Sequence, residues 1–167
     1  MTAANSSMSS AEGLAVDVIA TLRERGLTLA TCESLTGGLI GATLTSVPGA
    51  SVVYRGGLIT YHSALKVQLA QVDANLVNAH GVVNADTARQ MAVGAAAACG
   101  ADLCIAVTGV AGPDITDGEP VGTVWMGLAV ADHSQAKKLE LDGNRDEIRA
   151  RTTCCALDWL LRVLSES

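Results

Sequence analysis

The chain has 167 residues, of which 49% are apolar, and its aromatic residues are two tryptophans and two tyrosines, with no phenylalanine. This length suffices for the core of one domain, which must then be built from small aliphatic side chains. The net charge of −6, without a dense Lys/Arg stripe, argues against nucleic-acid binding, and no apolar run is long enough to span a membrane.

The first segment along the chain is a polar lead, residues 1–9, which we predict to be disordered. It has neither the basic start nor the apolar core of a signal peptide, so the expected location is the cytoplasm. Residues 10–167 contain no low-complexity linker and are predicted to form a single domain.

Predicted helices and buried strands alternate through this domain. Apolar residues at helical spacing predict helices over 11–25, 37–47, 63–72, 73–81, 85–99 and 145–164. Short apolar runs between turn residues predict strands over 27–32, 51–61, 102–109 and 121–131, the second with a glycine kink or bulge. A charged strand is predicted to follow at about 135–141. The alternation predicts an α/β fold, a three-layer α/β/α sandwich with a mixed, mostly parallel sheet whose last two strands form an antiparallel hairpin.

Cap residues mark two of the helix ends. Asn84 is predicted to cap the alanine-rich helix 85–99, which Gly100 closes. Asn144 is predicted to cap the last helix, with Glu147 as its capping-box partner.

The stretch ATCESLTGGLIGA, residues 30–42, raises the question of a nucleophile. Ser34 follows a predicted buried strand, and Gly37 and Gly38 open the next helix, which exposes a hydroxyl beside backbone amides that can hold an oxyanion. The alternative is that Ser34 or Thr36 simply caps the helix. If Ser34 is the nucleophile, Thr36 is left to cap the helix.

A serine nucleophile needs a base, and the best candidate is Lys66. Its neighbours Ala64, Leu65 and Val67 are apolar, and burial would lower the pKa of the ammonium towards the range of a general base. The alternative is an exposed lysine on an amphipathic helix. His62 is the second choice as base, because it lies at a strand end where exposure is common.

Two further segments could contact a ligand. TGVAGP, residues 108–113, follows a buried strand, and its glycines allow close approach while Thr108 can donate a hydrogen bond; it lacks the lysine of a Walker motif, and a plain turn is the alternative. Three arginines near the start of the last helix could meet a phosphate or be ordinary surface charges. They are Arg145, Arg149 and Arg151.

Metal and disulfide sites are not expected. The five cysteines show no CxxC spacing and are predicted to be reduced thiols, and the three histidines lie far apart. The acidic loop with Asp114, Asp117 and Glu119 could hold a divalent cation, but a solvated loop is the simpler interpretation.

Seven blocks in series resemble the C-terminal domain of competence-damage-inducible protein A, a family that includes stand-alone nicotinamide-nucleotide amidohydrolases. The blocks are ESLTGGLI (33–40), VPGAS (47–51), RGGLITYHSALK (55–66), HGVVNADTARQMAVGA (80–95), AVTGVAGP (106–113), PVGTVWMGLA (120–129) and GNRDEIRARTT (143–153). The resemblance covers roughly residues 10–165. It implies hydrolysis of the carboxamide of nicotinamide mononucleotide (NMN) to nicotinate mononucleotide and ammonia, in pyridine nucleotide recycling.

The resemblance also implies roles for particular residues. Ser34 falls on the nucleophile and Lys66 on the base, and Tyr61, the nearby aromatic hydroxyl, completes the predicted catalytic set. Thr108 and Arg145 fall on positions tied to the active site or substrate. With the residues that could hold the oxyanion or approach the substrate, the predicted substrate-binding set is Thr36, Gly37, Gly38, Thr108, Gly109 and Arg145.

The chain departs from the family pattern at Leu35, where the family commonly has cysteine, and at HSALK, residues 62–66, where a pattern close to SNEAK is common. The expected ligand is a small-molecule nucleotide, with no metal or organic cofactor, no nucleic-acid partner and no membrane. A homo-oligomer, preferably a dimer, is expected. The alternatives are a non-catalytic nucleotide-binding or interaction module of the same fold, and an amidase for another small amide.

Overall fold

The computed structural model describes residues 10–166, and the predicted disordered lead, residues 1–9, lies outside them. The helices are α1 (Ala11–Arg25), α2 (Leu39–Thr45), α3 (Ser63–Gln68), α4 (Ala74–His80), α5 (Ala85–Cys99) and α6 (Arg145–Glu166). The strands are β1 (Leu29–Glu33), β2 (Tyr54–Ile59), β3 (Leu103–Gly109), β4 (Thr123–Val130) and β5 (His133–Glu140).

The five strands form one mixed sheet in the order β2-β1-β3-β4-β5. Strands β2, β1 and β3 are parallel, and β4 runs antiparallel to both β3 and β5, so four of the five strands point the same way. The predicted antiparallel hairpin of the last two strands is confirmed. The predicted irregularity in the glycine-containing strand is also confirmed, because the register shifts between Tyr54 and Gly56 and leaves Arg55 without a partner in β1.

Helices cover both faces of the sheet, which confirms the three-layer α/β/α sandwich. Along each buried strand the side chains alternate between the two faces. Large aliphatic residues such as Leu29, Ile105 and Met126 point towards α1, α2 and α6. Small residues such as Ala30, Cys32 and Ala106 point towards α5.

The small-residue face lets α5 approach the sheet and its neighbouring segment very closely. A Cβ atom at Gly127 would overlap the carbonyl oxygen of Ala88 in α5, and one at Gly94 would overlap the carbonyl oxygen of Ala70. The core is therefore formed without phenylalanine because one of its two interfaces is built from alanine, cysteine and glycine.

Local capping follows the sequence closely. The side chain of Asn84 accepts from the amide of Thr87 at 2.8 Å, and Gly100 ends α5 in the left-handed conformation. Asn144 accepts from the Glu147 amide at 3.0 Å, and Glu147 accepts from the Asn144 amide at 2.7 Å. Both predicted N-caps and the capping box are confirmed.

Several elements are shorter than predicted, α3 and β2 among them. Helix α3 ends at Gln68, because Gln71 adopts a positive φ of 56° and turns the chain so that Ala70 and Val72 are buried. Ala50–Val52 forms a short 3-10 turn, and β2 begins only at Tyr54. In both places a turn interrupts an apolar run that sequence periodicity alone reads as continuous.

The cysteines of the chain are free thiols, as predicted. No helix within residues 10–166 is long and apolar enough to cross a membrane. In the same part of the chain, no group of three or more His, Cys, Asp or Glu side chains is arranged to hold a metal ion.

Candidate active site

A cavity of about 440 Å³ opens at the carboxyl ends of the three parallel strands. Chain segments that follow β1, β2 and β3 form its walls, and the start of α6 reaches its mouth. β1 lies between β2 and β3 in the sheet. The connection after β1 therefore leads to β2 on one side, and the chain later returns to form β3 on the other side of β1. Open α/β sheets bind their ligands at such a switch point.

Ser34 is the first residue after β1, and it lines this cavity. Its amide donates to the carbonyl of Val107 in β3, which continues the sheet pairing, and its own carbonyl accepts from the amide of Gly37. Gly37 and Gly38 have φ values of 59° and 102°, which other residues rarely adopt. The glycines therefore permit the tight turn that presents the Ser34 side chain, which is only 8% exposed, to the cavity.

Lys66 approaches Ser34 from the other side of the cavity, from within helix α3. Its Nζ donates to Ser34 Oγ at 2.9 Å and to the carbonyl oxygen of Thr60 at 2.6 Å. The side chain is 1% exposed, and burial lowers its pKa from 10.5 to about 8. None of the ion pairs found within residues 10–166 involves Lys66, so its contacts hold it in place without a carboxylate partner.

The nearest thiol, Cys32, does not supply a counter-ion. Its Sγ lies 3.7 Å from Thr60 Oγ1, and burial raises its pKa to about 11. The thiol is therefore neutral near pH 8, and the Asp117 carboxylate, which attracts the ammonium and acts to raise the pKa of Lys66, does not offset the effect of burial. The lowered pKa makes the neutral amine, which is the form that can accept a proton, well populated near pH 8.

Tyr61 and Arg145 meet at the mouth of the cavity. Arg145 donates to the Tyr61 hydroxyl at 2.9 Å and to the carbonyl oxygen of Gly112 at 2.6 Å. Its guanidinium thus bridges the segments that follow β2 and β3. The Tyr61 side chain is largely exposed, so the pair is accessible to a ligand that enters from solvent.

Thr108 and Gly109 line the cavity at the end of β3. The Thr108 hydroxyl donates to the carbonyl oxygen of Val82 at 2.9 Å. This donor joins β3 to the segment before α5, and donation from Thr108 to a ligand stays a prediction. A lone pair of the same oxygen remains available as an acceptor.

The acidic loop after β3 is hydrogen-bonded to the segment that precedes α5. Asp117 accepts from the amide of Val82 at 2.7 Å, and Asp114 and Thr116 line the cavity. The Asp117 carboxylate thus serves to close the loop over the segment that also receives the Thr108 hydroxyl.

Glu33 is a functional candidate that the sequence reasoning missed. This last residue of β1 is 2% exposed, and its carboxylate accepts from the Thr36 hydroxyl at 2.7 Å and from the amides of Ile40 and Gly41 at 2.9 and 3.0 Å. The prediction that Thr36 caps the helix is wrong, because Gly38 occupies the N-cap position and the Thr36 hydroxyl is bonded to Glu33. A glutamate directly before the candidate nucleophile, at the end of a buried strand, was the available signal.

Of the three arginines near the start of α6, for which a phosphate contact and a surface role were both left open, only Arg145 lines the cavity. Arg149 donates to the carbonyls of Leu35 and Thr36 at 3.0 and 3.2 Å, and Arg151 donates to the carbonyl of Asp142. Arg145 and Arg149 share a helix face but lie about one turn apart along α6, so they reach different places, whereas Arg151 lies on another face.

The structure brings six of the predicted site residues together in one cavity: Ser34, Lys66, Tyr61, Thr108, Gly109 and Arg145. Thr36, Gly37 and Gly38 form the turn behind Ser34 and do not line the cavity. His62, the second choice as base, is exposed at the start of α3, where its Nδ1 accepts from the amide of Ala64.

These features define a class: a three-layer α/β domain with a buried serine–lysine pair at the carboxyl edge of its parallel strands. The sequence model of the CinA C-terminal domain matches residues 11–164. The chain belongs to the CinA C-terminal domain family.

Relatives and solved structures agree with this assignment. A CinA-like protein of Citrifermentans bemidjiense is 47% identical over 144 residues, which are 86% of this chain and 35% of the relative. The chain spans about a third of the length of the curated relatives it matches. The competence damage-inducible protein A of Klebsiella pneumoniae has a TM-score of 0.91 at 32% identity and covers 94% of this chain and 98% of its own. The competence/damage inducible protein of Agrobacterium tumefaciens has a TM-score of 0.87 at 35% identity, with coverage of 92% and 94%.

Proposed function

We propose that this domain hydrolyses the carboxamide of NMN, giving nicotinate mononucleotide and ammonia, with Ser34 as nucleophile and Lys66 as general base. The observation that carries the chemistry is the 2.9 Å contact between Lys66 Nζ and Ser34 Oγ in a buried setting. The choice of NMN among amides comes from the resemblance of the seven sequence blocks to nicotinamide-nucleotide amidohydrolases.

The first step is acylation of Ser34. In its neutral form Lys66 keeps one N–H on the Thr60 carbonyl, and across the 2.9 Å contact its lone pair accepts the Ser34 hydroxyl hydrogen in place of the N–H that the ammonium donates. It removes the hydroxyl proton while Oγ bonds to the carboxamide carbon, whose carbonyl π electrons move to oxygen. The Thr60 carbonyl also stabilises the ammonium that forms, because it accepts a charge-assisted hydrogen bond.

The negative oxygen needs donors close to Ser34. Within the described chain, the amides of Leu35 and Thr36 donate to no protein acceptor, and they are the first two peptide N–H groups after the serine. In nucleophile elbows the amide that follows the nucleophile is part of the oxyanion hole. Leu35 lines the cavity, and Thr36 follows it directly, fully buried, with its N–H left without a protein acceptor among residues 10–166. These two amides are the proposed donors.

Collapse of the intermediate releases ammonia. The carbonyl re-forms, the C–N bond breaks, and the Lys66 ammonium gives its proton to the departing nitrogen. A water molecule then attacks the acyl-Ser34 ester, with Lys66 as base, and returns the serine and the carboxylic acid. The Tyr61 hydroxyl, held by Arg145, orients the substrate at the cavity mouth.

Charges around the cavity complement a pyridinium nucleotide. Arg145 presents a cation to the phosphate, and the acidic residue Asp114 is among those that line the cavity, where the positively charged ring would lie. Apolar side chains such as Val82 and Val110 offer surface to the ring. A volume of about 440 Å³ is within the range of small-molecule sites.

Arg145→Met is expected to raise KM for NMN by about 10- to 100-fold, the value of one charge-assisted contact, with a smaller change in kcat. Steady-state kinetics with NMN measure this effect. Nicotinamide riboside, which has no phosphate, provides the matched substrate, and its KM should change much less. An equal rise for both substrates would contradict a phosphate contact at Arg145.

The proposed function is tested by measuring ammonia release from NMN, nicotinamide riboside, nicotinamide and asparagine with the purified chain. We expect turnover of NMN with kcat/KM at least about tenfold above that of the other amides. Turnover of a different amide in preference to NMN would keep the chemistry and replace the substrate. Binding of NMN without turnover would favour the non-catalytic nucleotide-binding module.

The proposal includes a cytoplasmic setting, where NMN is formed, and a mechanism that uses no metal or organic cofactor. It also includes a homodimer as the working assembly. Sedimentation of the purified chain measures the last of these directly.

A further inference from the structure

The turn that follows Ser34 is held from two sides by side chains that do not line the cavity. We propose that Arg149, acting together with Glu33, is a positioning residue that aligns the peptide groups after Ser34 for oxyanion binding. This inference rests on the proposed role of Ser34 as nucleophile and does not depend on which amide is the substrate.

Arg149 fixes two consecutive peptide planes. Its Nε donates to the carbonyl oxygen of Leu35 at 3.0 Å, and its Nη2 donates to that of Thr36 at 3.2 Å. In a trans peptide, the carbonyl and the following N–H point in opposite directions. Holding the Leu35 carbonyl therefore fixes the direction of the Thr36 N–H, one of the two proposed oxyanion donors.

The guanidinium also affects the strength of those donors. A cation bonded to a peptide carbonyl draws electron density towards the oxygen and makes the N–H of the same peptide group a better donor. The charge of Arg149 is thus transmitted to the Thr36 amide through the peptide group. A neutral residue at 149 would lose both the orientation and the polarisation.

Glu33 holds the same turn from within the core. Its carboxylate accepts from the Thr36 hydroxyl and from the amides of Ile40 and Gly41, which fixes the turn to the start of α2. Thr36 is consequently bound at its side chain by Glu33 and at its carbonyl by Arg149. Neither contact requires a ligand, so the donors are aligned before substrate arrives.

Arg149 is the better residue to test, because it can be changed without opening the core. Its side chain is about a third exposed, and α6 packs through neighbouring buried residues such as Ile148 and Thr152. Arg162 lies on the same helix, is exposed and pairs with Asp158, which makes Arg162→Met the matched control.

The test measures acylation of Ser34 by p-nitrophenyl acetate, alongside NMN hydrolysis, in the wild type, Arg149→Met, Arg149→Lys and Arg162→Met. Release of p-nitrophenolate gives the rate, and the mass of the acetylated protein with a Ser34→Ala control identifies the site. We expect Arg149→Met to slow acylation by about 10- to 100-fold, with kcat for NMN reduced similarly and KM within about twofold. Arg149→Lys should recover part of the rate, since it keeps the charge without the two-pronged geometry.

The outcomes separate this inference from the proposed function. Equal acylation rates in Arg149→Met and Arg162→Met would overturn the positioning role even if NMN is hydrolysed. Loss of thermal stability in Arg149→Met with an unchanged acylation rate would assign Arg149 a structural role only and also overturn it. Arg149-dependent acylation in a protein that does not hydrolyse NMN would support the positioning role and reject the substrate. No acylation of Ser34 in the folded wild type would overturn both.

Discussion

Lys66→Met is expected to lower kcat for amide hydrolysis by about 10³-fold, within the range that a general base contributes. The methionine side chain has a similar length and fills the same buried space, but it has no lone pair basic enough to take the Ser34 proton. Ser34→Ala should reduce kcat by at least as much, because the two residues act as one unit. Single-turnover measurements of acylation isolate the step concerned.

The pH dependence of the wild type gives a second readout of Lys66. Burial lowers its pKa to about 8, so the side chain is protonated and inactive below that pH and neutral above it. The rate should therefore rise with pH through about 8 and level off, a direction opposite to that of a carboxylic general acid.

Lys138→Met is the matched control for this prediction, because Lys138 is a partly exposed lysine on β5 that pairs with Glu140. It should leave both kcat and the pH profile unchanged. A Lys66→Met variant that is folded and turns over at the wild-type rate would contradict the proposed base.

Glu33→Ala is expected to lower the free energy of unfolding by about 3–5 kcal/mol, because it leaves two buried donors and one partly buried donor without acceptors, at about 1–3 kcal/mol each. The donors are the Thr36 hydroxyl and the amides of Ile40 and Gly41. Such a loss is a large fraction of the stability of a typical domain. Equilibrium unfolding in urea provides the measurement.

Two comparisons sharpen the Glu33 prediction. Glu33→Gln retains the shape and one acceptor oxygen, so its loss should lie between those of the wild type and Glu33→Ala. Glu140→Ala removes an exposed carboxylate and should change the free energy of unfolding by no more than about 0.5 kcal/mol. A Glu33→Ala loss as small as that of Glu140→Ala would show that the turn does not depend on this carboxylate.

Features encoded within a few residues were predictable from the sequence. Asn84 with Thr87, and Asn144 with Glu147, form their caps over three residues, so the pattern alone specifies the contact. Lys66 was identified because its flanking apolar residues predicted burial. The glycines at 37 and 38 marked the tight turn behind Ser34.

Features that depend on distant parts of the chain were not predictable in this way. The carbonyls of Leu35 and Thr36 meet Arg149 only because α6 packs beside α2, and the contact spans more than 110 residues of sequence. The Thr36 hydroxyl, which local pattern assigned to a helix cap, is taken by Glu33 because both are buried beneath α2. In each case a tertiary partner displaced the local one.

The spacing of Arg145 and Arg149 on α6 has a genetic consequence. The two side chains lie about one helical turn apart, and from there one reaches the cavity mouth and the other the turn behind Ser34. Insertion or deletion of a single codon between them would rotate one arginine by about 100° relative to the other. Length changes between positions 145 and 149 should therefore be far less tolerated during divergence than substitutions there.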